Sequence, residues 1–247
     1  MFNTTIATQI YAKICFEATN SQKKIIENLS EYLSDDDFSR IFVLNGFAGT
    51  GKTTLIAAVV AALKELRIKP VLLAPTGRAA KVLARYCGEQ ALTIHKRIYR
   101  QRTNADYESK FSLDFNREQG AVFIVDEASM LSDSTGDGAL FGSGSLLEDL
   151  VSYVRSGRGC RLILVGDSAQ LPPVGCDFSP ALDPATVSRY GEVVYGLMDE
   201  VVRQQMQSGI LFNATLVRCM LENRIYEIPK FEMDYPDFES VEGGDFM

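Results

Sequence analysis

One short segment restricts the possible folds of this chain more than any other. Residues 46–53 read GFAGTGKT and match the pattern G-x-x-x-x-G-K-[ST]. An apolar run precedes the segment, and a helical pattern follows it. Glycines let the backbone curl until several N–H groups converge on phosphate oxygens at the amino end of the helix. The alternative is a glycine-rich turn before an ordinary helix, and the flanking strand and helix disfavour it.

The pattern assigns a role to the polar residues of this loop. We expect Lys52 to reach the β- and γ-phosphates of ATP, and the Thr53 hydroxyl to be a ligand of Mg²⁺. The chain is therefore predicted to bind ATP and Mg²⁺. The predicted nucleotide contacts in the loop are Gly46, Ala48, Gly49, Thr50, Gly51, Lys52, Thr53 and Thr54.

The rest of the chain alternates between strand-like and helix-like patterns. Four short apolar runs suit strands that are buried on both faces. These runs are Ile41 to Leu44, Pro70 to Leu73, Ala121 to Val125 and Leu162 to Val165. Helical patterns lie at residues 21–33, 52–66, 77–86, 146–155 and 209–221, whereas residues 101–119 and 132–145 are polar or Gly/Ser-rich and predict surface loops. We predict an α/β fold with a parallel sheet, helices on both faces and ligands at the carboxyl ends of the strands.

Two adjacent carboxylates, Asp126 and Glu127, follow the third apolar run. Asp126 suits the ligation of Mg²⁺, directly or through water, as in the Walker B arrangement. Glu127 is placed to orient and deprotonate the attacking water, which favours hydrolysis over phosphate transfer to a substrate hydroxyl. An isolated Asp-Glu at a strand end is usually a solvated turn. The phosphate-loop pattern upstream favours the catalytic interpretation.

The fourth apolar run ends in residues 166–175, GDSAQLPPVG. Gln170 at this tip can hydrogen-bond a γ-phosphate or the lytic water, so it is a candidate catalytic residue that reports which nucleotide is bound. Pro172 and Pro173 stiffen the loop that follows, so a movement of Gln170 would be transmitted rather than absorbed. Taken alone, the segment is also compatible with an ordinary turn.

Charge is distributed unevenly along the chain. The 247 residues have a formal net charge of −7, which argues against non-specific coating of nucleic acid. Residues 78–102 nevertheless contain seven basic side chains and one acid, Glu89. This run allows a local anion-binding groove on an acidic protein. Basic runs are often solvated helix faces, and that alternative stays open for residues 96–102.

Composition also bears on the compartment. No stretch approaches the roughly 20 apolar residues that a membrane span needs, and the first residues lack the pattern of a signal peptide. The five cysteines are odd in number and far apart, which argues against a disulfide framework or a zinc site. They are Cys15, Cys87, Cys160, Cys176 and Cys219. We expect a soluble, cytoplasmic protein with reduced thiols and no membrane partner.

Together these segments resemble the RecD-like branch of superfamily 1 (1B) DNA helicases, the group that contains the alpha subunit of exodeoxyribonuclease V. GFAGTGKT resembles helicase motif I, APTGRAAKVL (residues 74–83) motif Ia, VDEASM (residues 125–130) motif II and GDSAQLPPVG motif III. Residues 200–204 resemble motif IV, and residues 16–22 resemble the adenine-reading Q motif. The resemblance implies a RecA-like P-loop NTPase domain and a 5′ to 3′ motor.

The resemblance also implies roles for single residues. Gln22 would read the adenine edge, because an amide both donates and accepts. Arg203 would contact the γ-phosphate and stabilise its developing charge, as a catalytic residue. An exposed helix residue and a surface salt bridge are the open alternatives for these two. The residues implied to contact single-stranded DNA are Pro75, Thr76, Arg78, His95 and Lys96.

The implied organisation has three parts. Residues 1–35 would form a helical segment with the Q motif, residues 36–205 the first RecA-like ATPase domain (1A), and residues 206–247 a helix and an acidic tail. Motifs V and VI, which the family carries on a second RecA-like domain, are not found before Met247. We therefore expect a piece of a longer protein, with the tail leading toward that second domain.

Two functions from different classes stay open. The first is an ATP-dependent DNA helicase motor that hydrolyses ATP on single-stranded DNA. The second is a nucleotide- and DNA-binding module that is inert without a second RecA-like domain, in cis or on a partner subunit. A P-loop switch or kinase unrelated to nucleic acid is disfavoured by the GDSAQLPPVG segment and the basic run.

The loop assignment predicts the behaviour of a Lys52→Ala variant. Loss of the ammonium removes hydrogen bonds to charged phosphate oxygens, so the affinity for Mg-nucleotide is expected to fall by about 1.5 to 3 kcal/mol. Isothermal titration calorimetry of the variant and the parent measures this difference. Equal affinities would rule out the assignment of residues 46–53 as a phosphate-binding loop.

Overall fold

The computed structural model describes residues 2–14, 16–103, 109–133, 141–200, 202, 208–233 and 235–237. The helices of this part are α1 (Phe2–Lys13), α2 (Asn20–Ser34), α3 (Lys52–Glu65), α4 (Gly77–Cys87), α5 (Ile94–Ile98), α6 (Leu146–Ser156), α7 (Pro184–Val187) and α8 (Gly209–Glu222). The strands are β1 (Ile41–Gly46), β2 (Pro70–Ala74), β3 (Ala91–Thr93), β4 (Tyr99–Thr103), β5 (Ser109–Leu113), β6 (Val122–Val125), β7 (Arg161–Gly166) and β8 (Val193–Met198).

A six-stranded parallel sheet organises the chain, with the strand order β3-β2-β6-β7-β1-β8. The four apolar runs form its central strands β2, β6, β7 and β1, which confirms the predicted α/β fold. The two edge strands, β3 and β8, were not predicted. Strand β3 is only three residues long and half-buried, so its sequence signal is weak. Strand β8 is apolar apart from Gly196, so the sequence does contain a signal for this strand, although Tyr195 and Leu197 are exposed.

Two hydrophobic layers cover the two faces of the sheet. Because successive side chains of a strand point to opposite faces, Phe42 and Leu44 of β1 pack toward α1, α2 and α3. Ile41 and Val43 pack toward α5, α6 and α7. Helices therefore lie on both faces, as predicted. No helix in the described ranges is long and apolar enough to cross a membrane.

The sequence predicts a surface loop at residues 101–119, but part of this range forms β-strands. Strands β4 and β5 form an antiparallel hairpin, with Tyr99 opposite Leu113 and Gln101 opposite Phe111. Aromatic packing explains this difference, because the Phe111 ring stacks on Phe141 at 4.5 Å and Tyr99 lies 5.3 Å from the same ring. The polar sequence of residues 101–119 gave no sign of the contact between Phe111 and Phe141, which are distant in sequence. Residues 104–108 and 134–140 of the two expected loops lie outside the described residues.

Helix α2 is joined to the sheet by a buried tyrosine. The Tyr32 hydroxyl donates to the carbonyl of Leu162 at 2.8 Å and accepts from the Leu162 N–H at 3.1 Å. Burial raises the pKa of this phenol, which therefore stays protonated and able to donate. One hydroxyl thus satisfies both backbone groups of a residue in β7.

We expect Tyr32→Phe to lower the free energy of unfolding by about 1 to 3 kcal/mol, because the buried N–H of Leu162 loses the hydroxyl that accepts its hydrogen bond. Urea denaturation followed by circular dichroism measures the change. The matched control is Tyr86→Phe, which removes the hydroxyl of an exposed tyrosine and should change stability by less than about 0.5 kcal/mol. Equal stability of the two variants would contradict the structural role of the Tyr32 hydroxyl.

Candidate active site

The predicted site residues follow neighbouring strands at one edge of the sheet. The phosphate-loop segment follows β1, Asp126 and Glu127 follow β6, the segment with Gln170 follows β7, and Pro75 follows β2. These four strands are consecutive in the sheet and parallel, so their carboxyl ends lie side by side. A ligand crevice at this edge is the general expectation for an open parallel sheet.

The phosphate-loop segment has the backbone that its glycines allow. Gly49 and Gly51 have φ angles of 76° and 86°, in the left-handed region, and Gly51 precedes the first turn of α3. A Cβ on Gly46 would lie 2.9 Å from Cγ of Lys52, so a larger residue there would push the lysine away. Thr50 is fully buried, and its hydroxyl donates to the carbonyl of Phe47 at 2.8 Å.

Lys52 is held among oxygen atoms. Its ammonium donates to the carbonyl of Gly46 and to that of Phe47 at 2.9 Å, and it lies 3.6 Å from Oδ2 of Asp167. Burial lowers the pKa of Lys52, whereas the negative charges of Asp167, Glu127 and Asp126 act in the opposite direction. The ammonium is thus a cation that contacts two carbonyl oxygens and one carboxylate, within the electrostatic influence of two more carboxylates.

The two adjacent carboxylates differ in their surroundings. Burial raises the pKa of Asp126, and the charge of Glu127 raises it further, while Lys52 acts in the opposite direction. Glu127 has a φ angle of 55°, an uncommon backbone conformation for a non-glycine residue, and it precedes a 3₁₀ turn at Ala128–Met130. Strain of this kind clusters at functional sites, because the surrounding structure must hold it in place.

The donor set fits Mg²⁺. In the described ranges no group of three or more His, Cys, Asp or Glu side chains is placed to hold a metal. A protein site for Mg²⁺ typically supplies one or two hard oxygen ligands and leaves the other positions to phosphate oxygens and water. Asp126 and Thr53 have the required chemistry, and a cation beside Asp126 and Glu127 would offset their mutual repulsion.

The segment after β7 contains a residue that the sequence analysis did not assign to the site. Asp167 is almost completely buried, and its carboxylate faces Lys52 while also accepting from the N–H of Ala169 at 2.9 Å. Its position directly after a buried strand was the available signal. Gln170 is exposed, and its Oε1 accepts from the Ser129 hydroxyl at 3.3 Å. This bond connects the segment after β7 with the one after β6.

Gln22 is fully buried, so it is not the exposed helix residue of the alternative interpretation. Its Nε2 donates to the carbonyl of Thr50 at 3.0 Å, and its Oε1 accepts from the N–H of Thr19 at 3.0 Å. The first bond anchors the phosphate-loop segment to α2. Each end of the amide has bonding capacity left, one N–H and one lone pair, so the adenine contact stays a proposal.

The motif IV segment also contacts this region. The Glu200 carboxylate accepts from the N–H groups of Asn20 and Ser21, both at 3.1 Å, and the Val202 N–H donates to the Gly49 carbonyl at 3.1 Å. Glu200 therefore contacts the start of α2, and Val202 contacts the phosphate-loop segment. Arg203 itself lies outside the described residues.

The candidate DNA contacts begin next to one another. Ala74 is opposite Thr93 in the pairing of β2 with β3, so Pro75 and the start of α5 leave the sheet side by side. Thr76 caps α4 by accepting from the Ala79 N–H at 3.2 Å, and Arg78 is exposed. A cleft of about 340 Å³ connects these residues with the two adjacent carboxylates. It is lined by Thr76, Arg78, Ala79, Val82, Asp126, Glu127 and Met130.

The two candidates on α5 differ from each other. His95 is half-buried against the rings of Tyr99 at 5.6 Å and Phe141 at 5.1 Å, and burial lowers its pKa. The neutral ring is therefore favoured at pH 7, which suits packing or stacking better than pairing with phosphate. Lys96 is exposed, so its ammonium lies on the solvent-facing side of this short helix.

Comparison with known proteins decides the family. The model of the AAA domain family matches residues 17–215. The chain belongs to the AAA domain family. The ATP-dependent RecD2 DNA helicase of Deinococcus radiodurans is 31% identical over 154 residues, which cover 62% of this chain and 19% of that protein. The RecBCD enzyme subunit RecD of Mycobacterium tuberculosis is 32% identical over 201 residues, which cover 66% of this chain and 32% of that subunit.

A solved structure supports the fold. Pif1 helicase from Bacteroides, in complex with ADP-AlF3 and single-stranded DNA, superposes with a TM-score of 0.54 at 18% identity, over 86% of this chain and 48% of that one. At this identity the likeness shows the fold alone. Together with the family match, these relatives confirm the resemblance to a RecD-like helicase motor domain. The chain spans about a fifth to a third of the length of the two curated relatives.

Because Gln22 anchors the phosphate-loop segment, Gln22→Ala should lower the affinity for ATP and for GTP alike. Because the carbonyl of Thr50 loses its partner, we expect the affinities for ATP and for GTP both to fall, by about ten-fold if the lost bond is worth about 1.4 kcal/mol. An additional loss confined to ATP would measure the adenine contact. Calorimetric titration of both nucleotides gives the two factors, and unchanged affinity for both would contradict the anchoring role.

Proposed function

We propose that this chain is the first motor domain of an ATP-dependent DNA helicase, which binds Mg-ATP and single-stranded DNA and hydrolyses ATP. One observation supports this function best. Lys52, the Asp126–Glu127 pair and the buried Asp167 converge at the edge where four parallel strands end, directly beside the GFAGTGKT loop. A nucleoside triphosphate is the ligand that matches a curled glycine loop, a lysine and a pair of carboxylates at one edge of a sheet.

Hydrolysis follows from the proposed roles of these side chains. Phosphate oxygens in the loop would offer Lys52 stronger acceptors than the carbonyls of Gly46 and Phe47, because the bonds are then charge-assisted at both ends. Glu127 would orient water and accept its proton, and Gln170 would bond the γ-phosphate or that water. Thr53 and Asp126 would hold Mg²⁺, which when bound would supply positive charge to neutralise the charge that develops on the phosphate. Arg203 is proposed to add a cation to the γ-phosphate.

Single-stranded DNA is proposed to cross the surface formed by Pro75, Thr76 and Arg78, with Lys96 on the neighbouring α5. The exposed cations Arg78 and Lys96 and the exposed N-terminal turn of α4 suit contacts with phosphate. The rings of His95 and Tyr99 suit stacking with bases. The cleft that joins Thr76 and Arg78 to Glu127 supports a link between strand binding and hydrolysis. Participation in DNA repair belongs to the same proposal, on the resemblance to exodeoxyribonuclease V.

The proposed motor needs a second RecA-like domain, in cis or on a partner subunit, because a strand is pulled only when ATP changes the spacing of two DNA grips. The proposed organisation is unchanged: residues 1–35, 36–205 and 206–247 as the Q-motif segment, domain 1A and the lead toward the second domain. A reducing, cytoplasmic location is proposed as well. The free thiols of Cys87, Cys160, Cys176 and Cys219 agree with it.

Steady-state ATP hydrolysis, with and without single-stranded DNA, tests the proposed function. We expect slow turnover by this chain, stimulation by DNA, and no activity in Lys52→Ala, the control for contaminating ATPases. Absence of turnover with retained binding of nucleotide and DNA would favour the inert binding module. Absence of both bindings would refute the proposal.

We expect Glu127→Gln to keep the ATP affinity of the full-length protein and to lower its rate of hydrolysis by about 100-fold or more, because the variant lacks the general base. Filter binding and phosphate release measure the two quantities. Glu148→Gln, which changes an exposed carboxylate on α6, is the matched control and should hydrolyse ATP at the parent rate. Normal turnover by Glu127→Gln would remove Glu127 as the base.

A further inference from the structure

Asn45 is a buried polar residue to which the proposed mechanism assigns no role. It is the next-to-last residue of β1, directly before Gly46, and only 5% of its surface is exposed. The preceding residues of β1, from Ile41 to Leu44, are all apolar and buried. A buried amide is costly unless it is hydrogen-bonded, so its partners show what it does.

Both ends of the Asn45 amide have partners. Its Oδ1 accepts from the N–H of Ser168 at 3.0 Å. Its Nδ2 donates to the Ser168 hydroxyl at 2.8 Å and to the Tyr195 hydroxyl at 3.0 Å. Asn45 therefore hydrogen-bonds both the backbone and the side chain of Ser168, and it makes one further hydrogen bond to Tyr195 of the edge strand β8.

Ser168 lies in the chain between two residues of the site, Asp167 and Gln170. Asp167, on one side of Ser168, faces Lys52. Gln170, on the other side, donates its N–H to the carbonyl of Asp167 at 3.1 Å and bonds Ser129 at 3.3 Å. A displacement of Ser168 relative to β1 would therefore move Asp167 and Gln170 relative to the phosphate-loop segment.

We propose that Asn45 is a positioning residue that fixes the segment Asp167–Gln170 against the phosphate-loop segment, so that the state of the γ-phosphate is passed to the Pro172–Pro173 loop. This inference rests on the proposed function, because it assigns Asn45 to the same ATP site. Asn45 touches neither phosphate nor water in this role. It acts through Ser168, and it should affect turnover more than nucleotide affinity.

The first test separates kcat from KM. In Asn45→Leu we expect kcat for ATP to fall by about ten-fold or more, with KM changed by less than about three-fold, because the lost interaction acts after binding. The matched control is Asn116→Leu, which removes another buried asparagine whose amide donates to Val154 and accepts from Glu118 outside the site. Its kcat should equal that of the parent. Equal kcat losses in both variants would reduce Asn45 to a structural residue.

A second readout does not depend on hydrolysis. The protein has no tryptophan, and Val174, just after the two prolines, is fully exposed, so Val174→Trp adds a single fluorophore to this loop. In this background we expect the β,γ-imido analogue of ATP to change the fluorescence and ADP to leave it unchanged. Asn45→Leu should abolish the response, and Asn116→Leu should keep it. Ser168→Ala, which removes one of the three bonds, should weaken it, and it serves if Asn45→Leu does not fold.

The outcomes separate the two proposals. If the Val174→Trp protein responds to the analogue but the parent never hydrolyses ATP, the proposed ATPase fails and the positioning role of Asn45 is still decided by the fluorescence of its variants. A response that survives in Asn45→Leu, or that is undiminished in Ser168→Ala, overturns the inference. Absence of any response to the analogue in the Val174→Trp protein, with binding shown by calorimetry, overturns it as well.

Discussion

The position of the Lys52 ammonium depends on the direction of the strands. Because β1, β6 and β7 are parallel neighbours, the segments that follow them leave the sheet at one edge, and their polar groups can surround a single cation. An antiparallel neighbour would deliver its carboxylate to the opposite edge. The two hydrophobic layers hold these strands in register, so apolar packing on both faces determines where the charges meet.

Apolar packing does not determine the shape of the loops beyond that edge, and buried polar side chains do so instead. Gln22 connects α2 with the carbonyl of Thr50, and Asn45 connects β1 with Ser168. Both are asparagine or glutamine, whose amides donate and accept at once and so can join two backbone segments that have no regular pairing. The phosphate-loop segment and the segment after β7 are thus each tied to a helix or strand that is distant in sequence.

The sequence was sufficient to predict local structure. It correctly placed the phosphate-loop segment between a strand and a helix and the Asp126–Glu127 pair directly after a buried strand, because motif and flanking elements lie within a few residues of one another. It was insufficient where partners are remote. Asn45 and Ser168 are 123 residues apart, and nothing within β1 indicates which group satisfies the amide. The β4–β5 pairing was missed for the same reason, because it depends on aromatic contacts made at a distance.

The strand order also bears on how the proposed DNA surface and the proposed ATP site can affect each other. Strand β2, which leads into the candidate DNA surface, is the direct neighbour of β6, which leads into Asp126 and Glu127. The Asp126 N–H even donates to the carbonyl of Leu73 in β2 at 3.0 Å. A change in the backbone of β2 therefore reaches Asp126 and Glu127, the proposed catalytic carboxylates, through one hydrogen bond and the cleft beside it. In the proposed motor, coupling needs no long pathway, because two adjacent strands carry the two sites.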